Sequence, residues 1–459
     1  MFVMRLHLGS RIRDLTGRSA ACLAVLLVAV AMVAGEAPAS AASRSRAVPV
    51  KDIWPGRNSS IPNSLLGPSG AQLTAVGRTI YFGADDGRHG YELWRSNGTA
   101  RGTRIVKDIR PGPLSSQVFS ITNVGGTLFF TADDGIHGAE LWRSDGTAGG
   151  TQLVKDINPG LVGSGGFWMT AVGQTLYLIA YDGTHRGLWR SDGTEVGTTL
   201  VQELVGAQDL TAVGNGLYFA GAAGSNPMQL WHSDGTSAGT AVVGPGEVAP
   251  YELTDVNGTL FFGASDPAHS FELWRSDGSV AGTYLVRDIN TTLPAEQSAS
   301  LPHELTAVGG NLFFIATPDA RTQQIWRSDG TGGGTLPIAS AGFASELAAF
   351  RGKLFFTRAG RIWRTESGNG TPALRKNVNP QQLTAGARAL YFVGGRGKNL
   401  DSELWQTTGK PAATRRIPGA GRRGGTQLHD LVAAGNTLLF TAKDRRHGRE
   451  LWRIGPPLR

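Results

Sequence analysis

The chain has 459 residues, a formal net charge of +8, 65 glycines, one cysteine and 17% charged residues. A single cysteine excludes a disulfide scaffold, so the fold must be stabilised by burial of a large core. Many glycines and few charges suit short strands joined by tight turns.

The N-terminal segment has the pattern of a secretory signal peptide, which we predict over residues 1–42. Four arginines precede an apolar run from Ala20 to Ala34, and small residues follow at 39–41. The only cysteine, Cys22, lies inside the apolar run, which argues against lipid attachment. Because no later stretch reaches the roughly 18 apolar residues of a membrane span, we expect a protein secreted from the cell or held in its envelope.

The strongest pattern in the chain is a tryptophan that returns nine times, at intervals of 48, 47, 42, 43, 52, 37, 42 and 47 residues. This period matches one four-stranded blade of a β-propeller. The positions are Trp94, Trp142, Trp189, Trp231, Trp274, Trp326, Trp363, Trp405 and Trp452.

The second copy shows the unit best. Residues 119–132 predict two strands joined at a glycine turn, 139–143 a third strand and 152–157 a fourth. Leu128-Phe129-Phe130 is apolar on both faces of its strand, as expected for a blade between two neighbours. We therefore place the repeated tryptophans in the core between blades.

The two ends of the array predict a closed ring. The last copy stops after Ile454 without a fourth strand, while residues 48–53 match a fourth strand that no other strands precede. We predict an all-β, closed β-propeller of about nine four-stranded blades forming a single domain over 43–459, the last blade completed by the N-terminal strand. An open arc, or a poorly formed seventh blade, is the alternative.

The segment Glu140 to Thr147 reads ELWRSDGT, and similar segments recur through nearly the whole mature chain. They resemble the ELWxxDGT repeats of a bacterial family of exported proteins. The resemblance implies an exported, propeller-like repeat protein and no particular chemistry. The copies at Trp363 and Trp405 lack the Asp-Gly turn, so we expect distortion there.

The first strand of each propeller blade lines the central channel, so residues at the start of these strands converge. In blade order they are Gln72, Ser120, Trp168, Asp209, Glu252, Glu304, Glu346, Gln382 and Asp430, and His303 and His429 precede two of the acids. Carboxylates clustered with histidines suit sugar hydroxyls, a cation or an acid–base pair. Polar residues that merely face a wet channel are the simpler explanation.

Three other residue sets have weaker functional interpretations. His89, His137, His185, His269 and His447 lie in hairpin loops beside aspartates, where they are expected to fix the loops. Trp54 and Trp168 lie outside the repeated register and are better ligand candidates. Residues 351–459 hold 21 basic and 6 acidic side chains, and a polyanion patch could form from Arg415, Arg416, Arg422, Arg423, Arg445 and Arg446. A solvated arginine-rich face is the alternative, and without interleaved aromatics we expect no base-specific nucleic-acid recognition.

No phosphate-binding glycine loop, metal-ligand spacing or Gly-x-Ser-x-Gly turn occurs. We expect a non-enzymatic binding scaffold without a resident cofactor, whose partner is an extracellular glycan, wall polymer or protein at the channel mouth. The alternatives are a glycan-active hydrolase or lyase that uses the channel carboxylates, and a polyanion binder that uses the basic arc.

Overall fold

The computed structural model describes residues 46–61, 73–244, 249–291, 299–319, 321–340, 342, 344–365, 371–372, 377–395, 402–419, 427–444 and 446–458. The predicted signal peptide and Gln72 lie outside this set. Within it, no helix combines the length and the hydrophobicity that a bilayer crossing requires.

The described strands form nine antiparallel sheets of four strands each, which confirms the predicted propeller and its blade number. Blade 1 contains β2 Thr74–Val76, β3 Thr79–Asp85, β4 Tyr91–Ser96 and β5 Arg104–Lys107. Blade 2 contains β6 Phe119–Val124, β7 Thr127–Asp133, β8 Ala139–Ser144 and β9 Gln152–Lys155. Blade 3 contains β10 Gly165–Val172, β11 Thr175–Tyr181, β12 Arg186–Ser191 and β13 Thr199–Glu203. Blade 4 contains β14 Gly206–Val213, β15 Gly216–Ala222, β16 Gln229–Ser233 and β17 Ala241–Val242. Blade 5 contains β18 Tyr251–Val256, β19 Thr259–Ala264, β20 Glu272–Ser276 and β21 Tyr284–Arg287. Blade 6 contains β22 His303–Val308, β23 Asn311–Ala316, β24 Gln324–Ser328 and β25 Leu336–Ser340. Blade 7 contains β26 Ser345–Phe350, β27 Lys353–Arg358, β28 Arg361–Arg364 and β29 Thr371–Pro372. Blade 8 contains β30 Gln381–Ala385, β31 Leu390–Gly394, β32 Glu403–Thr407 and β33 Arg415–Arg416. Blade 9 contains β34 Leu428–Ala434, β35 Thr437–Asp444 and β36 Gly448–Ile454, and its fourth strand is β1 Val48–Pro49. A 3₁₀ turn at Pro411–Ala413 lies before β33.

The hydrophobic core is divided among the interfaces between blades. In blade 5, Phe261 packs toward blade 6, whereas its neighbour Phe262 packs toward blade 4 together with Trp274. Strand two is thus apolar on both faces because each face has a blade against it. Eight of the nine repeated tryptophans are 3–8% exposed. Trp363 of blade 7 is half-buried in the same kind of interface.

The ring closes between blades 9 and 1. Val48 pairs with Arg453 and Pro49 with Trp452, and the Val50 amide donates to the Leu451 carbonyl at 2.8 Å. The first strands of neighbouring blades contact each other around the complete circuit, including β34 with β2. The closing strand is shorter than the predicted 48–53, because the chain turns after Val50 and the Ile53 amide donates to the Glu450 side chain at 3.1 Å.

Four buried glutamates, which we call the latch glutamates, fix the connections between blades. They are Glu92, Glu140, Glu272 and Glu450, each 0–1% exposed. Glu272 accepts hydrogen bonds from the Ile289 amide at 3.0 Å, the Ser300 amide at 3.1 Å and the Ser300 hydroxyl at 2.6 Å. Each latch thereby holds the segment that leaves its own blade.

Blades 7 and 8 each have four strands, and the expected distortion is absent from blade 8, whereas the blade 7 turn at 366–370 lies outside the described residues. In blade 8 the Gly409 backbone has a φ of 91°, and its amide donates to Thr407 Oγ1 at 3.0 Å. A threonine and a glycine therefore preserve the turn although the aspartate is lost.

Candidate active site

The channel residues lie at a bulge near the start of each first strand. In blade 2 the register advances three residues, from Phe119 to Thr122, while the partner strand advances two, from Thr131 to Phe129. Seven non-glycine residues at this position have φ between 52° and 57°: Ser120, Asp209, Glu252, Glu304, Glu346, Gln382 and Asp430. Left-handed backbone is costly for such residues and is common at functional sites.

A threonine two residues later supports the bulge in several blades. Thr254 Oγ1 donates to the Glu252 carbonyl at 3.2 Å, and Thr306 Oγ1 donates to the Glu304 carbonyl at 2.9 Å. The repeat itself therefore encodes the backbone conformation, whereas the identity of the bulge side chain varies from blade to blade.

Glu252, Glu304 and Glu346 form a row on three adjacent blades, which we call the mouth triad. Glu252 Oε2 accepts the Leu305 amide at 3.2 Å, and Glu304 Oε2 accepts the Leu347 amide at 3.1 Å. Each acid thus reaches the residue that follows the next acid in the row. The three acids therefore lie on neighbouring first strands, and their role as a ligand site stays a prediction.

Electrostatics distinguish the members of the mouth triad. Partial burial raises the pKa of Glu252, and the Glu304 carboxylate raises it further while His303 opposes the shift. Burial also raises the pKa of Glu346, with Glu304 again contributing. Glu304 therefore lies between two carboxyls that hold protons more readily than ordinary glutamates.

Asp209 and Asp430 occupy the same position in blades 4 and 9. Burial raises the pKa of each carboxyl. Asp430 Oδ2 also accepts a hydrogen bond from Thr441 Oγ1 at 2.8 Å, and the nearby charges of His429 and Arg449 favour its ionised form.

Arg449 is a site residue that the sequence analysis missed. It is 3% exposed, and its Nη2 donates to Gln427 Oε1 at 2.9 Å. The sequence did contain a signal for it. The residue before Glu-Leu-Trp is Tyr91, Ala139 or Phe271 in blades 1, 2 and 5, whereas blade 9 has a charged Arg449 there.

The histidines divide into two groups. His303 Nδ1 donates to the Leu301 carbonyl at 2.9 Å, and His429 Nδ1 lies 3.4 Å from Gln382 Nε2. Both imidazoles are near channel acids, because they lower the pKa of Glu252 and Asp430 respectively. The loop histidines bond to their own loops, as His137 Nδ1 does to Asp134 Oδ2 at 2.8 Å. Among the described residues, no three histidine, cysteine or acidic side chains converge as a metal site.

Trp168 lies at a bulge longer than those in the other blades. The register advances four residues, from Gly165 to Met169, while the partner strand advances two, from Ala180 to Leu178. The tryptophan is 40% exposed, unlike the repeated tryptophans. An exposed aromatic ring on a channel strand is suited to stacking against a sugar ring.

The predicted basic patch is only partly visible in the structure. Arg415 and Arg446 are exposed, whereas Arg416 pairs with Glu403 at 3.2 Å. Arg422, Arg423 and Arg445 lie outside the described residues. Arg416 is therefore partly neutralised within its own blade.

No protein-family model matches this chain, and no curated protein matches it. Solved structures do show similarity. A puromycin hydrolase shares 13% identity over 86% of this chain and 60% of its own, with a TM-score of 0.39. A prolyl endopeptidase structure shares 13% over 82% and 54%, with a TM-score of 0.44, and a puromycin-hydrolysing peptidase of Mycobacterium tuberculosis shares 11% over 86% and 61%, with a TM-score of 0.41.

The chain thus spans between 54% and 61% of the length of these three proteins. All three are enzymes, and against them the prediction of a non-enzymatic binding scaffold is wrong. None of their catalytic residues is carried over to this chain, so any chemistry must be argued from its own side chains.

Proposed function

We propose that this protein is a glycan-cleaving enzyme, most simply a hydrolase, that works by acid–base chemistry at the channel mouth. The observation that carries the proposal is the mouth triad, in which Glu304 lies between Glu252 and Glu346 on adjacent blades, and burial raises the pKa of both neighbours. A protonated carboxyl beside an ionised one is the minimum equipment for cleaving a glycosidic bond.

The roles follow from the charges. Glu252 or Glu346, whose pKa is raised by burial, serves as the general acid that donates a proton to the glycosidic oxygen as the bond breaks. Glu304, flanked by both, serves as the base that activates a water molecule or as the nucleophile at the anomeric carbon, depending on its distance from the acid. Three acids in a row repel an anionic polymer, which favours a neutral glycan and disfavours a lyase that acts on uronates.

Trp168 supports a glycan as the substrate. It lies on blade 3, apart from the triad on blades 5 to 7, so one chain of several sugars would span both. The signal-peptide pattern and the ELWxxDGT resemblance support export of the enzyme to where such polymers occur.

The test is turnover of neutral glycans of defined linkage, measured as the appearance of new reducing ends. Glu304→Gln keeps an acceptor for the Leu347 amide but cannot act as a base, so we expect activity to fall about 10²- to 10⁴-fold. Ser120→Asn, at the same bulge position in blade 2, is the matched control and should leave activity unchanged. Full activity in Glu304→Gln, or no turnover of any neutral glycan by the wild type, would contradict the proposal.

A further inference from the structure

The turn between the third and fourth strands of blade 1 departs from the other copies in charge. Blade 2 reads Ser-Asp-Gly-Thr-Ala-Gly-Gly-Thr from Ser144, whereas blade 1 reads Ser-Asn-Gly-Thr-Ala-Arg-Gly-Thr from Ser96. Asn97 replaces an aspartate that recurs as Asp145, Asp192, Asp234, Asp277 and Asp329. Arg101 and Arg104 stand where blade 2 has Gly149 and Gln152. One negative charge is lost and two positive charges are gained.

Folding of the turn does not require this change. Asp145 Oδ1 accepts the Thr147 amide at 2.8 Å and the Thr147 hydroxyl at 2.7 Å. Asn97 Oδ1 accepts the equivalent bonds from Thr99 at 3.1 and 2.7 Å. One oxygen closes the turn in both cases. The asparagine then presents an amide donor where the aspartate presents a second anionic oxygen.

A cavity of about 270 Å³ lies at this turn, lined by Arg95, Asn97, Thr99, Arg101, Gly102 and Arg104. Arg95 Nη1 donates to the Gly146 carbonyl of blade 2 at 2.8 Å, which anchors that side chain. Arg101 and Arg104 are exposed. None of the three arginines forms an ion pair with an acid in the part of the chain that the structure describes. Three guanidinium groups therefore line one cavity, and no described acid lies within ion-pair distance of them.

We propose that this cavity is a binding site for a tetrahedral oxyanion, phosphate or sulfate, either free or esterified to a sugar. Guanidinium groups donate paired, planar hydrogen bonds that match such oxygens, and several of them favour a dianion over a single carboxylate. The site is on the face opposite the channel acids, because the turn after strand three and the start of strand one lie at opposite ends of a blade. It is independent of the proposed hydrolase activity.

Blade 2 supplies the test variants, because its turn folds with the other sequence. The triple variant Asn97→Asp, Arg101→Gly, Arg104→Gln gives blade 1 the turn of blade 2. Titration with inorganic phosphate and sulfate at constant ionic strength should show one site in the wild type, with affinity at least tenfold lower in the triple variant. Equal affinity in the two proteins would overturn the proposal, as would no binding of either ion or of a sugar phosphate by the wild type.

The reverse exchange is the matched gain of function. Gly149 has open space at its Cβ position and no positive φ, so blade 2 can accept an arginine there. Asp145→Asn, Gly149→Arg, Gln152→Arg should raise the stoichiometry from one ion to two. A sugar phosphate that binds more tightly than inorganic phosphate identifies an esterified ligand, and equal affinities identify the free ion.

Discussion

Blade 5 carries two glutamates whose pKa is raised by burial, and they differ in everything else. Glu272, a latch glutamate, is 1% exposed, and its pKa is raised to about 7 although three donors oppose the shift. Glu252, in the mouth triad, is partly exposed, accepts the Leu305 amide at 3.2 Å, and has another acid beside it.

The difference shows that a raised pKa alone does not identify a catalytic acid. A carboxyl surrounded by amide and hydroxyl donors has its hydrogen-bonding capacity used by the fold. A carboxyl with one donor, an acidic neighbour and access to solvent can exchange a proton with a substrate. The pattern of partners, more than the size of the shift, separates the two roles.

Alanine substitution should separate them most strongly. Glu272→Ala leaves buried amide donors without an acceptor, so we expect the free energy of unfolding to fall by about 3 kcal/mol or more. Glu252→Ala should cost less than about 1 kcal/mol, because water can solvate the Leu305 amide. Urea denaturation of both variants measures the contrast, and equal losses would contradict it.

The latch glutamates also predict how stability depends on pH. Burial raises the pKa of Glu92, Glu272 and Glu450 to about 7, above the ordinary value of 4.5. Their contribution is fully present below about pH 4.5 and is lost as the pH rises toward 7. We expect a loss on the order of 3 kcal/mol per latch across this window.

The turn aspartates determine how stability changes at low pH, and their contribution has the opposite pH dependence. Hydrogen bonds from Thr147 hold the pKa of Asp145 below its ordinary 3.8, so this contribution is lost as the pH falls below that value. Stability should therefore peak near pH 4 to 5. Glu272→Gln should flatten the decline above pH 4.5, whereas Glu252→Gln should change it less; thermal unfolding across pH tests both. A stability maximum above pH 7 would show that the latches ionise without cost.

The smallest expected effect concerns Asp430. Thr441 Oγ1 lies 3.4 Å from the His429 carbonyl, as Thr131 Oγ1 lies 3.4 Å from the Phe119 carbonyl, but only Thr441 also donates to an acid. Thr441→Val removes this hydrogen bond and should raise the pKa of Asp430 by less than about one unit. Carbon NMR of the carboxyl measures the change. Tyr91, His429 and Arg449 also face this carboxyl and stay in place. Thr131→Val should cost similar stability and leave Asp430 unchanged; identical titration in both variants would refute the role.

Local and periodic features of the sequence predicted the architecture. The repeated tryptophan and the two-faced Leu-Phe-Phe run identified the blade interfaces, and residues 48–53 identified the closure. The same register placed Glu252, Glu304 and Glu346 together, because residues at one repeat position converge on a ring axis.

Features that depend on distant partners could not be predicted in this way. The latch role of Glu272 needs Ser300, which lies beyond a connection whose length varies between blades. The extra bulge residue between Gly165 and Met169 changes the backbone register without a clear signal in the residue types. The cavity beside Asn97 could not be predicted, because the sequence does not show which side-chain atom of Asn97 closes the turn.

Closing the ring with its first strand has a consequence for biosynthesis. Val48 and Pro49 are made about 400 residues before their partners Trp452 and Arg453. Until then the nascent chain carries an unpaired strand edge at each end of its array of blades. A chain whose synthesis stops before residue 452 would keep both edges exposed and would be prone to pair with other chains.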